Sequence, residues 1–183
     1  PSVIDQVVSR LRKMIMTGEL RPGQKLIEAD LCTQLTVSRP SLREALRLLE
    51  RERLIELVPN YGPYVAKLGW KQIEDIHDVW ALLTSEAVYQ FGERARPEDI
   101  SVIKRALTQL ESALKADDAL GQLAATNQIF GSILDHCGNG VLIDIVYSLV
   151  SRLNFLRAQA LRYEGWGHLS VHELGEIVAA IEA

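Results

Sequence analysis

Apolar residues recur at intervals of three or four positions along most of the chain, which is the spacing of one face of an α-helix. In the first third this pattern predicts three helices, over residues 3–17, 28–35 and 37–54. The first of them carries apolar residues at intervals of four, at Val3, Val7, Leu11 and Ile15. The pattern also predicts two short strands, over residues 55–58 and 64–67, separated by a turn-forming segment over residues 59–63.

The rest of the chain contains almost no strand pattern and predicts five further helices. The first two span residues 70–94 and 96–116, and the third is capped by Asp117 or Asp118 and runs to residue 137. The fourth spans residues 141–162 and a last one opens at Ser170, with breaks at 137–140 and 163–167. In the first of these five, the inward residues are Ile73, Ile76, Val79, Trp80, Leu83 and Ala87. The predicted fold class is therefore mainly α, with an N-terminal winged helix-turn-helix over residues 1–68 followed by an all-helical antiparallel bundle over residues 69–183.

The helix predicted over residues 37–54 has two chemically different faces. Arg39, Arg43 and Arg47 are spaced by four residues, so at about 100° per residue they lie within a narrow arc. The opposite side is apolar, with Leu42, Ala45, Leu46 and Leu49. Such a row of guanidiniums suits phosphates and guanine edges in a DNA major groove. The alternative is that the row is an ordinary solvated charged face.

Helix-capping residues support the start of this helix. Ser38 is a good N-cap and Pro40 fits the first turn. The spacing of Ser41 and Glu44 also allows a capping box, with Ser41 as the cap.

Two short helices joined by a tight turn, the second one bearing the arginines, form the arrangement of a DNA-binding helix-turn-helix. The hairpin that follows predicts a wing. Its tip can place Asn60, Tyr61 and the Gly62 amide against the adjacent minor groove or backbone. Gly62 alternatively serves only to give the turn a positive φ.

The composition narrows the possible classes of protein. The chain has 183 residues, of which 48% are hydrophobic and 24% charged, as in an ordinary globular protein of one or two domains. There is no apolar run of about 18 residues. The two cysteines, Cys32 and Cys137, do not have the spacing of a metal site, so we expect a reducing, cytoplasmic location. Because the chain starts at Pro1 and stops at Ala183 inside an apolar-periodic segment, we also expect truncated ends, above all at the C-terminus.

The charge is distributed unevenly. The net charge is −4 overall, yet residues 1–68 carry a net +3 and residues 69–183 a net −7. A basic first third joined to an acidic remainder suggests that only the first third approaches a polyanion.

Residues 3–68 resemble the winged helix-turn-helix of the GntR transcription regulators. The matching pieces are an I-x-x-G-x-L-x-P-G-x-x-L-x-E-x-x-L run over residues 15–31, V-S-R-P-S-L-R-E-A-L-R-L-L over 37–49, Leu54-Ile55 and the Pro59–Val65 hairpin. The resemblance implies binding to an operator in double-stranded DNA as a homodimer. The implied DNA contacts are Ser38, Arg39, Ser41, Arg43, Arg47, Asn60, Tyr61 and Gly62. Some relatives use an arginine near position 30, where this chain has Asp30.

Residues 69–183 resemble the helical effector domain (FCD-like) of the FadR-type branch of that family. The landmarks are Asp75-Ile76, Phe130, Gly138-Asn139, Leu142, Arg152 and the run from Ser170 to Ile181. The resemblance implies a small organic effector inside the bundle. We expect contacts to it from Trp80, Asn127, Phe130, Arg152 and His172.

Many such domains hold a divalent metal through an Asp and a His on the third helix of the bundle and two later His. This chain has Asn127, Gly131 and Leu174 at three of these positions, and none is a good metal ligand. We therefore predict that the metal site is lost, that no cofactor is bound and that the effector cavity is less charged than in relatives. A two-residue slip in the alignment would restore His172 as a ligand.

The histidines leave a second metal arrangement open, because His168 and His172 are four residues apart. The glycines at 165 and 167 argue against a helix at His168, so we do not predict that site. His77 and His136 fit ordinary surface or core positions.

The function predicted from these patterns is that of a DNA-binding transcriptional regulator, most consistent with a repressor, that responds to a small effector. The chain contains no nucleophile paired with a base, no phosphate-binding loop and no complete metal-ligand set, so we predict no enzyme activity. Two alternatives remain open, a helical scaffold for protein partners and a small metal-dependent helical enzyme.

Overall fold

The computed structural model describes residues 2–160 and 165–182. Within them the chain forms eight helices and one two-stranded antiparallel sheet. Two compact units are present. The first comprises the chain up to Trp70 together with Ser151–Phe155, and the second comprises Lys71–Val150 and the chain from Leu156 onward. No helix among the described residues is both long and apolar enough to cross a membrane.

The first unit contains three helices and the sheet. Their bounds are α1 Val3–Thr17, α2 Glu28–Leu35, α3 Arg39–Arg51, β1 Ile55–Val58 and β2 Gly62–Val65. The predicted positions of α1 and α2 are confirmed, and Gly18 ends α1 in the left-handed conformation at φ 75°. Val3, the first residue of α1, is exposed rather than inward. Among the side chains removed from solvent are Leu11, Ile15, Leu42, Leu49 and Leu54.

Helix α3 has Ser38 as its N-cap, as predicted, and therefore begins at Arg39 rather than at residue 37. It is also shorter than predicted at its C-terminal end, where it gives way to a turn after Arg51 and Arg53 has a positive φ of 60°. The capping box predicted at Ser41 is wrong. Ser41 lies inside the first turn, and its N–H donates to the Ser38 hydroxyl at 3.4 Å.

Strand β2 starts two residues earlier than predicted, so Gly62 and Pro63 belong to it. Pro63 is tolerated in β2 because successive backbone N–H groups of a strand point to opposite sides. The Val65 N–H donates away from β1, to the carbonyl of Gln24, and Pro63 two residues earlier has the same orientation. The proline therefore removes no hydrogen bond from the ladder with Leu57, its partner in β1.

The second unit consists of helices only. They are α4 Trp70–Gly92, α5 Pro97–Lys115, α6 Ala119–Cys137, α7 Gly140–Ala160 and α8 Trp166–Glu182. Helix α5 packs against both α6 and α8. The α5 start follows the prediction, with Pro97 in the first turn, and the Asp118 side chain caps α6 by accepting from the Gly121 N–H. Among the buried side chains are Phe91, Ile103, Ile129, Ile133 and Leu134.

Several predictions for this unit need correction. Val79 on α4 is 44% exposed instead of inward, and α4 ends at Gly92 rather than residue 94. Helix α8 begins at Trp166, one turn before Ser170, and therefore contains Gly167. The predicted end of α7 at residue 162 and the break at residues 163–164 lie outside the described residues.

Gly167 has a packing role in α8. A Cβ at this position would lie 2.6 Å from Leu114 Cδ1 and 2.9 Å from Gln122 Oε1. The glycine thus permits a close approach of α8 to two neighbouring helices, rather than marking a loop.

Candidate functional site

The first candidate site is the exposed face of α3. Leu42, Leu46 and Leu49 are at most 1% exposed, which fixes one side of the helix against the core of the first unit. The same geometry turns Arg39, Arg43 and Arg47 toward solvent. The side chains of Arg43 and Arg47 are 63% and 67% exposed.

The arginines on this face differ in their partners. The Arg43 Nε donates to Glu28 Oε2 at 2.9 Å, so this side chain is held against α2. Arg47 lies 3.7 Å from Glu44, one turn earlier on the same helix. Arg39 forms no ion pair within residues 2–160 and 165–182. Exposed pairs of this kind are weak, so DNA phosphates can replace the carboxylates.

Ser38 and Ser41 lie at the N-terminus of α3, where backbone N–H groups and the helix dipole favour an anion. Both serines lie before or within the first turn, and their hydroxyl oxygens are 2.9 Å apart. The N-terminus of this helix therefore offers hydroxyl and amide donors next to the guanidinium row.

The wing presents a small polar tip. Asn60 and Gly62 have positive φ values of 66° and 92°, and the Tyr61 N–H closes the turn on the Val58 carbonyl at 3.0 Å. Tyr61 is 66% exposed, and among the described residues, apart from the chain neighbours of Gly62, no heavy atom lies within 4 Å of the place where a Gly62 Cβ would stand. The tip can therefore approach a backbone closely, and the same positive φ also meets the turn requirement of Gly62.

The second candidate site is a cavity of about 780 Å³ within the second unit. Residues of α4, α5, α6, α7 and α8 line it. Much of the lining is apolar, including Val88, Leu110, Leu123, Leu174 and Ile177. A cavity of this size with a few polar groups is typical of a small-molecule site.

Arg157 supplies a cation to this cavity. Its guanidinium carbon lies 5.0 Å from the ring centroid of Trp80 and 5.1 Å from that of Phe130. The two rings meet edge to face, with centroids 4.9 Å apart and planes at 74°. The Arg157 NH1 donates to Asn127 Oδ1 at 3.3 Å. Burial lowers the pKa of Arg157 to about 10, so the group stays positively charged at neutral pH.

The structure brings together some of the residues predicted for effector binding and separates others. Trp80 and Phe130 line the cavity, and Asn127 contacts it indirectly through Arg157. Arg152 is not among the lining residues, since it belongs to the segment Ser151–Phe155 that groups with the first unit.

His172 is likewise absent from the lining. Ser170, Leu174 and Ile177 define the inward face of α8 at helical spacing, and His172 falls off that face, 3.6 Å from Glu176. Sequence reasoning missed Arg157 altogether. The available signal was its place on the same helical stripe as Leu142 and Val146, where an apolar residue is expected.

The histidine pair of α8 lies on a helix, contrary to the expectation for His168. His168 and His172 are both exposed. Among the described residues, no group of three or more His, Cys, Asp or Glu side chains is placed to hold a metal ion. The loss of the metal site stays a prediction.

Two family models match the chain. Residues 3–65 match that of the bacterial regulatory proteins of the gntR family, and residues 75–183 match that of the FCD domain. Together they span both units described above.

Relatives and solved structures agree with these matches. The HTH-type transcriptional regulator YdhC of Bacillus subtilis is 28% identical over 161 residues, 87% of this chain and 71% of the relative. The gluconate operon transcriptional repressor of Bacillus licheniformis is 30% identical over 62% of this chain and 46% of its own length. The crystal structure of a GntR regulator from Rhodococcus sp. RHA1 matches 99% of this chain and 98% of its own, at 22% identity and a TM-score of 0.72, and so shares the fold.

Proposed function

The chain belongs to the gntR family of bacterial regulatory proteins and carries an FCD domain, and on this basis we propose that it is an operator-binding transcriptional repressor regulated by a small effector. In this proposal α3 is the recognition helix and enters the major groove. Ser38, Ser41 and the three arginines contact phosphates and bases, and the wing residues Asn60–Gly62 contact the adjacent backbone or minor groove.

The observation that carries the DNA-binding part is the pairing of a fully buried leucine face with an exposed guanidinium row on one capped helix. Neutralising phosphates with arginine releases counterions, which supplies affinity. An arginine bidentate on a guanine adds about 1–3 kcal/mol of discrimination against other bases. The net charge of +3 in residues 1–68 favours the same approach.

We further propose that the protein acts as a homodimer on a two-fold symmetric operator. Half-sites of such operators lie about one helical turn apart, so both recognition helices have to reach them together. The effector binds one arrangement of the dimer more tightly than another and thereby shifts its population. The repressor assignment is supported by the gluconate operon repressor among the relatives.

The experiment is selection of fragments of bacterial genomic DNA by the purified protein, followed by affinity measurements on the enriched site. We expect a two-fold symmetric sequence, and we expect Arg43→Ala to weaken binding about tenfold or more at moderate salt, because one base or phosphate contact is lost. Arg105→Ala is the matched control, since it removes the same charge from an exposed position on α5. Equal affinities of the wild type and the Arg43→Ala variant would remove α3 from the DNA interface.

A further inference from the structure

The first unit includes one piece of chain from far along the sequence, the segment Ser151–Phe155 of α7. The remainder of that unit ends at Trp70. We infer that this segment is a working part of the proposed DNA-binding unit and that it positions the C-terminal end of α3 through Glu52. This rests on the proposed function only where DNA affinity is the quantity measured.

Phe155 anchors the segment in the apolar core of the first unit. It is 2% exposed and belongs to the same hydrophobic cluster as Leu11 of α1 and Leu46 and Leu49 of α3. A buried phenylalanine removes a large apolar surface from water and fills a correspondingly large volume. The core around α1 and α3 is therefore complete only when the α7 segment is in place.

Glu52 connects the segment to α3, since it is the C-cap residue of that helix. The Ser151 hydroxyl donates to Glu52 Oε2 at 2.9 Å, although the two residues are 99 positions apart in the sequence. The Glu52 side chain is 27% exposed. A hydrogen bond to a carboxylate that is partly shielded from water is stronger than one between neutral groups in solvent.

The same carboxylate also binds α1. The Arg12 Nε donates to Glu52 Oε2 at 3.1 Å, and its NH2 donates to Oε1 at 2.6 Å. This two-pronged pair fixes the orientation of the carboxylate, and the Ser151 hydroxyl shares one of its oxygens. Side chains from α1, α3 and α7 thus meet at one group, so a displacement of the α7 segment is passed to the end of α3.

The placement of α3 matters more for reading bases than for attracting phosphates. Base readout needs hydrogen bonds of defined direction to the base edges, whereas attraction to phosphates tolerates small shifts of the helix. Loosening one end of α3 should therefore lower affinity for the operator and leave affinity for random-sequence DNA nearly unchanged. Unfolding of the unit would instead lower both affinities together.

The first test removes the Ser151 hydroxyl in the full 183-residue chain. Fluorescence anisotropy then measures affinity for the DNA site enriched by the selection proposed above and for a random duplex. We expect Ser151→Ala to weaken operator binding about three- to tenfold, because a hydrogen bond to a charged group is lost, without a change for the random duplex. Ser151→Thr, which keeps a hydroxyl, should retain most of the wild-type affinity.

Ser148→Ala is the matched control for Ser151→Ala. The Ser148 hydroxyl donates to the Ile145 carbonyl within α7 itself, so its removal leaves the carboxylate of Glu52 untouched. We expect operator affinity equal to that of the wild type. A loss as large as that of Ser151→Ala would show that any change on α7 has this effect, and the positioning role would be overturned.

A double-variant cycle tests whether Ser151 acts through Glu52. In the Glu52→Ala background the acceptor is already gone, so adding Ser151→Ala should change operator affinity by less than about twofold. Fully additive losses would show that the hydroxyl acts by another route, and would overturn the role of Glu52.

Hydrogen exchange tests the anchoring of the segment without DNA. Phe155→Ala should speed the exchange of the most protected amides of α1 and α3 about 100-fold or more, because a large buried side chain is lost from their core. Phe91→Ala makes the same change at a fully buried site of the second unit and should leave these amides close to their wild-type rates. If Phe155→Ala fails to fold, Phe155→Leu should show a smaller increase of the same sign.

The outcomes separate this inference from the proposed function. Wild-type exchange rates in the Phe155 variants, or wild-type operator affinity in Ser151→Ala, would overturn the inference. If the wild-type protein enriches no DNA sequence, the proposed function fails, and the exchange rates of α1 and α3 still decide whether the α7 segment is part of the first unit.

Discussion

The contact between Arg43 and Glu28 links the proposed DNA-binding face of α3 to α2 and leaves the arginine largely exposed. The pair joins α3 to α2, with the Arg43 side chain 63% exposed and that of Glu28 27% exposed. Ion pairs this exposed contribute about 0–1 kcal/mol to stability, so exchange for a phosphate or a base costs little. Glu28 thereby limits the directions in which Arg43 can extend without holding it away from DNA.

This contact leads to a prediction for Glu28→Gln. The substitution removes a negative charge beside the DNA-binding face and frees Arg43, so we expect affinity for random-sequence DNA to rise a few fold and discrimination in favour of the operator to fall. Fluorescence anisotropy with operator and random duplexes measures both quantities. Glu74→Gln, which removes the same charge from an exposed position on α4, is the control. Unchanged discrimination would show that Glu28 has no part in positioning Arg43.

The exposed arginine face of α3 could be predicted from the sequence, because spacing alone places 39, 43 and 47 on one side of a helix. The partners of these residues could not. Glu28 is 15 positions from Arg43, and only the packing of α2 on α3 brings the two together. The same limit explains why Arg157 was not predicted, since its surroundings include Trp80 and Phe130 from two other helices.

Helix α3 depends on its buried face for its position. Leu46 is 1% exposed, whereas Leu48 is only partly buried at the edge of the same core. We expect Leu46→Ala to lower the free energy of unfolding by about 2–5 kcal/mol, through lost apolar burial and the cavity that remains. Leu48→Ala should cost clearly less. Urea unfolding followed by circular dichroism measures both, and equal losses would contradict the assignment of the two faces.

Helices were easier to predict than the ends of elements. The positions of α1 and α2 follow from apolar spacing and from the glycine after Thr17. The starts of β2 and α8 were misplaced because Gly62, Pro63 and Gly167 are typical of turns. In the structure the position of Pro63 requires no N–H donor toward β1. Gly167 lies against Leu114 and Gln122. In both cases the surrounding structure overrides the local preference of the residue.

For the chain as a whole, DNA binding is compatible with a net charge of −4 because the charge is divided unevenly. The first 68 residues are net basic and the remainder is net acidic. Association with DNA is therefore governed by the local charge of the first unit, and the acidic remainder disfavours any other approach. Effector control then needs only a modest coupling, since a tenfold change in affinity corresponds to about 1.4 kcal/mol.

The central claim is that the guanidiniums of α3 bind DNA, and the salt dependence of operator binding in single variants tests it most directly. We expect the affinity of the wild type to fall steeply with KCl concentration. Alanine at 39, 43 or 47 should either reduce the slope of log K against log salt by about one, if that arginine binds a phosphate, or relax discrimination at one base pair, if it reads a base. If all three alanine variants matched the wild type and the Arg105→Ala control in affinity, slope and sequence preference, the account would be contradicted.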